Sequence, residues 1–345
     1  MKKYFLNLVA ISLLAVCACK EDNAPGYSIH TELQANYLAD SYSNYSSYVN
    51  GQEDNSKPLP YKLDLEGIEV GSSIITYEGI KGVDVFEYNE AATTHDIYNL
   101  KVGTKYKAEV YTGKEVVKTI EFKIDDVAPR NLYVDGVTNC RDLGGWKIDK
   151  KTRVKQGMIY RTSKYNADES TDLVITEKGI DTLKNTLGVK TEIDLRKTSD
   201  NENGGLTASP LGEGVRYVSY PMVSNGNVLT LNKTKLKTLF EMFAAENNYP
   251  IAFHCSIGTD RTGMVAFLLN GLLGVSKEDL YRDYLFSNFG LIYSMRTANT
   301  IDTYLTAIES SSGKTLTEKF YNYLKDVGIS TDTLDKIKDL MIEKY

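Results

Sequence analysis

Cysteine is scarce in this sequence. Its 345 residues include four, and Cys17 and Cys19 both fall before position 20. That leaves Cys140 and Cys255 in the rest of the chain, too few for a disulfide scaffold. Long apolar runs are also missing. The stretch at 6–16 is too short for a dependable membrane span. Positive charge is not in excess: 40 Lys and Arg stand against 46 Asp and Glu, a net charge of −6. That balance argues against nucleic acid as a partner but says little about a local phosphate site. A length of 345 residues with 42% hydrophobic content is enough for two domains with cores of their own.

What is present is concentrated at 251–274. An apolar run ends in His254-Cys255, five residues follow, and then come Arg261-Thr262-Gly263 and a helical stretch. This predicts a loop between a short buried strand and a helix. Free cysteine has a pKa of about 8.5, and a helix N-terminus with a nearby cation lowers it. The backbone N–H groups of Ser256, Ile257, Gly258 and Thr259 can curl into an anion nest. Gly258 is where a positive φ costs least. Arg261 offers a planar fork for two phosphate oxygens. The Thr262 hydroxyl falls near the sulfur, and His254 is placed to fix the loop by hydrogen bonding. A lone cysteine is more often a buried structural residue. The surrounding His, Gly, Arg and Thr set this one apart as a nucleophile.

His-Cys-x5-Arg-Thr-Gly resembles the cysteine-based protein tyrosine phosphatase superfamily. The fuller His-Cys-x-x-Gly-x-Asp-Arg-Thr-Gly is similar to a bacterial tyrosine-phosphatase-like branch. That branch acts on phosphotyrosine, phosphoserine or phosphothreonine, and phosphoinositides. Asn139-Cys140-Arg141-Asp142-Leu143-Gly144-Gly145, Gly157 to Ser163, and Leu273-Gly274-Val275-Ser276 through Asp283-Tyr284-Leu285 resemble its other signatures. The resemblance covers 130–345. It implies an α/β phosphatase domain, a central sheet flanked by helices, and a phosphocysteine intermediate formed without metal or cofactor. Strand–helix alternation agrees. Expected helices fall at 171–186, 229–247, 261–273, 276–288, 297–311, 315–326 and 331–344. Arg141 and Asp142 read either as an ion pair bracing the loop or as catalytic groups. Arg161 ends a strand. Asp194 and Arg196, in a D-L-R segment similar to the family's, read as a salt bridge or as orienting groups. Cys140 reads as inert, with a reversible bridge to Cys255 as the alternative.

Residues 1–19 read as an export signal. Val16-Cys17-Ala18-Cys19 resembles a lipoprotein box with Cys19 as acceptor, and Lys20-Glu21-Asp22 resembles an outer-surface tag. This predicts a cell-envelope, outer-membrane lipoprotein held to the membrane by lipid. Residues 20–60 are polar and tyrosine-rich and are expected as a tether, though their tyrosines could instead cover the next domain. From 61 to 126 alternating runs at 61–65, 73–77, 83–88, 105–111 and 116–124 predict a small all-β sandwich. The stretch from Leu100 to Val110 resembles a fibronectin type III segment, with Val102 where proline is usual and Tyr106 at a tyrosine-corner position. An Ig-like fold follows, without catalysis and with no identifiable partner.

A leaving oxygen needs a proton donor. Many relatives supply an aspartate from a separate loop, but no aspartate lies between Asp200 and Asp260. Asp260 is therefore the candidate general acid, ahead of Asp142 and Asp194. Thr259 stands where phosphoinositide-active relatives often carry lysine. The leading expectation is a phosphatase acting on a phosphorylated protein or small phosphate ester. The alternatives are an inositol-phosphate or phosphoinositide phosphatase, a sulfur- or arsenate-transfer protein, and a non-catalytic surface lipoprotein.

Overall fold

The structure is a computed structural model describing residues 26–167, 173–199 and 202–345. The proposed export signal and Cys19 lie outside the described residues. Among the described residues no helix is long and apolar enough to cross a membrane.

The second half is organised on a five-stranded sheet. Its order is Arg216–Ser219, Thr191–Asp194, Ile251–His254, Ile159–Thr162 and Arg141–Asp142. The first four strands are parallel and the fifth is antiparallel. The three middle strands are buried at every residue, as parallel strands covered on both faces must be. The helix Asp260–Leu273 is buried at every position after Asp260. It has no polar face because Lys277–Leu285, Leu316–Asp326 and Thr331–Met341 pack around it. Asp194, His254 and Thr162 are level in register at one edge. That edge is the C-terminal end of the parallel strands, where open α/β sheets place their chemistry.

Three expected helices differ. The one expected at 171–186 starts only at Glu177, where the Thr176 hydroxyl caps it by accepting the Gly179 N–H at 3.1 Å, and continues as a π-helix over Thr182–Thr186. The one expected at 229–247 is broken into Val228–Leu231 and Leu236–Ala244. The buried Asn232 side chain bonds the Val223 N–H at 2.8 Å, the Val223 carbonyl at 2.9 Å and the Val228 carbonyl at 2.8 Å. It captures backbone groups that a continuous helix would use. The last helix stops at Met341, and Ile342–Lys344 pairs antiparallel with Thr152–Val154. The Arg153–Glu343 ion pair at 2.8 Å supports this short ladder.

Residues 61–124 form a small β domain. Lys81–Tyr88, Ser72–Glu78, Lys105–Thr112 and Glu115–Lys123 make one antiparallel sheet, and Tyr61–Asp64 pairs with Thr94–Ile97. The five expected strands appear with ends moved by one or two residues. Thr94–Ile97 escaped notice because its polar residues are mostly solvent-facing. Leu63, Ile74, Ile97, Ala108 and Val110 share a core separate from that of the sheet above. The Tyr106 hydroxyl accepts the Lys101 N–H at 2.7 Å. Gln156 clamps Val102 from the catalytic domain, accepting its N–H at 3.0 Å and donating to its carbonyl at 2.9 Å. Proline at 102 would forfeit the first of these bonds.

Residues 26–60, expected as a tether, are instead packed. Tyr37 is fully buried, lies edge-on to Phe286 and Phe289, and donates its hydroxyl to the Arg282 carbonyl at 3.0 Å. Tyr42 stacks on Tyr281 at 4.3 Å. Gly51 accepts the N–H groups of Ile292 and Tyr293. These aromatics join the catalytic core rather than building their own. Tyr37→Ala should therefore cost about 3 kcal/mol of catalytic-domain stability in chemical denaturation. A loss below about 0.5 kcal/mol, the scale of a surface substitution, would show the segment to be dispensable.

Candidate active site

The turn after Ile251–His254 is tight because Gly258 adopts φ +71°. A Cβ there would sit 2.5 Å from the Thr162 carbonyl oxygen, so only glycine fits. The consequence is chemical. Among the described residues, the N–H groups of Ser256 to Thr262 make no hydrogen bond to the protein, and the first helical bond of this turn is Gly263 N–H to Thr259 at 2.7 Å. These amides converge at the N-terminus of the Asp260–Leu273 helix and form an anion nest. Cys255 lies at its base, 2% exposed. Among the described residues the buried Thr262 hydroxyl has no hydrogen-bond partner.

Arg261 is anchored along one edge. Its Nη1 donates to Glu202 and, at 3.2 Å, to the Leu195 carbonyl. Its Nε and Nη2 make no bond among the described residues, leaving that edge for two oxygens of an anion.

Arg141 and Asp142 are not paired with each other. They are neighbours on one strand, and successive side chains point to opposite faces. Arg141 faces Arg161 across the antiparallel ladder, and both guanidinium groups converge on buried Asp283, at 3.0 and 2.5 Å. Burial pushes the Asp283 carboxyl up, but Arg161 and Arg141 outweigh it and hold it below the usual range. From this hub two arms reach the loop. Arg161 Nη2 donates to the Gly258 carbonyl at 3.0 Å. Arg141 Nη1 donates to the Asn139 side-chain Oδ1, and Asn139 Nδ2 donates to the Ile257 carbonyl at 2.9 Å and the Thr259 hydroxyl at 3.3 Å. Asp142 serves the other face, taking Arg130 at 2.9 Å and the N–H groups of Gly144 and Gly157.

On the opposite face from Arg161, strand alternation places Glu192, Asp194 and His254 together, all fully buried. Asp194 pairs with Arg196 at 2.7 Å. Burial pushes the Asp194 carboxyl up, yet His254 and Arg196 outweigh it and hold it at about 2. His254 Nε2 lies 2.9 Å from Glu192. Burial pushes the Cys140 thiol up and outweighs the lowering by Arg141 and Arg130; both thiols are free.

A model of the tyrosine phosphatase family matches residues 132–343. The chain belongs to the tyrosine phosphatase family. It is 27% identical over 183 residues to a putative tyrosine-protein phosphatase of Cupriavidus necator, covering 46% of this chain and 63% of that one. It is 30% identical over 134 residues to a tyrosine-protein phosphatase of Nostoc commune, covering 39% and 40%. The chain thus spans less than two thirds of the length of either relative. Among solved structures, P. aeruginosa TpbA matches with 18% identity and a TM-score of 0.29, over 55% of this chain and 89% of that one.

In this phosphatase-family site Asp260 is not free. Arg296 grips it through both oxygens, at 2.8 and 2.9 Å. Asp260 in turn raises the pKa of Arg296. Glu202, Asp283, Glu192 and Arg296 were missed as site residues because each acts across a long sequence separation. Asn139 and Asp283 fall in the family-like segments at 139–145 and 273–285, but their partners come from other elements. Since Glu202 aims Arg261, Glu202→Gln should lower kcat/KM for phosphate esters on the order of tenfold through misplacement of the guanidinium. An unchanged kcat/KM would show that Arg261 needs no such anchor.

Proposed function

We propose that the chain is a cysteine-dependent phosphomonoesterase of the phosphotyrosine class. The observation that carries this reading is the fan of unbonded amides from Ser256 to Thr262 over Cys255, closed by the free edge of Arg261. A phosphate dianion seated there meets N–H donors on one side and a bidentate guanidinium on the other. Cys255 attacks phosphorus, the ester oxygen leaves, and water then releases phosphate from the phosphocysteine. Thr262 supplies a hydroxyl to the departing sulfur.

Asp260 remains the proposed proton donor. For that role it must take up a proton and give up an oxygen from Arg296, so the ion pair opens during turnover. Asp260→Asn should slow esters with poor leaving groups far more than nitrophenyl-type esters. Equal losses on both would assign Asp260 to bracing only. A panel of phosphotyrosine, phosphoserine, phosphoinositide and inositol phosphate substrates tests the substrate class, and Cys255→Ser should bind phosphopeptide without turnover. No release of phosphate from any ester by the wild type would overturn the reading.

The enzyme is further proposed to be an envelope lipoprotein acylated at Cys19, carrying an Ig-like domain that supports the catalytic domain off the membrane. The acidic Lys20-Glu21-Asp22 stretch and the short apolar leader support this. Labelled palmitate should enter the wild type and not Cys19→Ala; equal labelling of both would contradict it.

A further inference from the structure

We propose that Glu192 is a positioning residue for the catalytic cysteine: it holds His254 in its doubly protonated form next to Cys255. This rests on the phosphatase reading of the site.

The surroundings of the ring set its protonation. His254 Nε2 lies 2.9 Å from Glu192 Oε1, and Nδ1 lies 3.2 Å from the Cys255 carbonyl oxygen. With Glu192 ionised, both partners are acceptors, and both ring nitrogens donate. Asp194 cannot take the place of Glu192. Its Oδ1 is 3.8 Å from Nδ1, beyond hydrogen-bond reach. Its oxygens are already occupied by Arg196 and, at 3.0 Å, by the Tyr217 hydroxyl. Glu192 is built for one partner: Ser209 donates to its other oxygen, and Ser209 is itself fixed by the Leu211 N–H at 3.0 Å.

The remaining neighbours fit. The Tyr165 ring packs against the imidazole at 4.7 Å between centroids. Burial and then Glu192 raise its pKa, so it stays neutral. Arg161 belongs to the opposite face and is consumed by Asp283 and Gly258. The acidic atoms and the imidazole lie within 4.8 Å of one another, and the cation among them is the imidazolium itself. Two carboxylates, Arg196 and His254 balance one another in a pocket without solvent. A carboxylate at 192 is a costly residue on an interior strand unless it is paired, and His254 is its partner. The ring it holds is fixed to the Cys255 carbonyl through Nδ1, and it adds its charge to those of Arg161 and Arg296, which also act on Cys255.

The test is alkylation of Cys255 by iodoacetamide across pH in the full chain, followed by peptide mass spectrometry, alongside kcat/KM profiles. In Glu192→Gln the imidazole loses the carboxylate bonded to Nε2 and keeps only Asp194, 3.8 Å from Nδ1 and shared with Arg196. The alkylation curve and the acid limb of kcat/KM should move to higher pH by about one unit. Ser209→Ala removes a support of Glu192 but not its charge, so it should lose thermal stability and keep the wild-type curve. Superimposable curves for wild type and Glu192→Gln would overturn the proposal and leave Glu192 a structural residue. If Glu192→Gln does not fold, nitrogen NMR of the wild type decides, with His30→Gln and His95→Gln assigning the three histidines. Both His254 ring nitrogens should carry protons at neutral pH, and a neutral ring would overturn the proposal. Failure of the phosphatase reading is distinguishable, because it shows as absent turnover by the wild type while alkylation and NMR still report on the site.

Discussion

One buried carboxylate, Asp283, holds the phosphate loop in shape. It sits between Arg141 and Arg161, whose side chains face each other across an antiparallel ladder and would otherwise repel. Burial and the Arg141 charge pull the Arg161 guanidinium down to about 10. Through Asn139 and through Arg161, the same carboxylate fixes the carbonyls of Ile257 and Gly258. Those carbonyls point outward from the loop, so the amides of the same peptides point inward. Removing one member of a buried pair leaves an uncompensated charge and costs about 3–5 kcal/mol. This one contact explains why the segments around Asn139, Gly157, Cys255 and Asp283 occur together in one chain.

The two faces of the central sheet divide the electrostatic work. The face carrying Arg141 and Arg161 shapes the loop from behind through Asp283. The face carrying His254 sets charge near the sulfur through Glu192, while Asp194 answers Arg196. At the mouth, Arg261 is aimed by Glu202 and Asp260 is held by Arg296. Arg141, Arg161, Arg261 and Arg296 thus each have a named acidic partner that orients them. The protein keeps a net charge of −6 and still offers an anion a local fan of donors.

Much of this was legible in the sequence because it is local. The loop residues from His254 to Gly263 are consecutive, Gly258 announces its positive φ, and the apolar stretches flanking them mark a buried strand and helix. The β domain was legible from alternation, except at Thr94–Ile97, where polar side chains mask a strand. Pairings that depend on topology were not legible. Arg141 and Asp142 look like a pair on paper, yet strand geometry separates them. Tyr37 looks like part of a polar tether, yet Phe286 and Phe289 receive it. Asp260 is the nearest carboxylate to the loop, but Arg296 enters from 36 residues away.

The most direct measurement is rapid-quench mass spectrometry of the wild type with a phosphotyrosine-type ester. The account predicts a transient phosphoryl group on the peptide containing Cys255, absent in Cys255→Ser. Phosphate release at full rate with no such adduct, or in the serine variant, would contradict it.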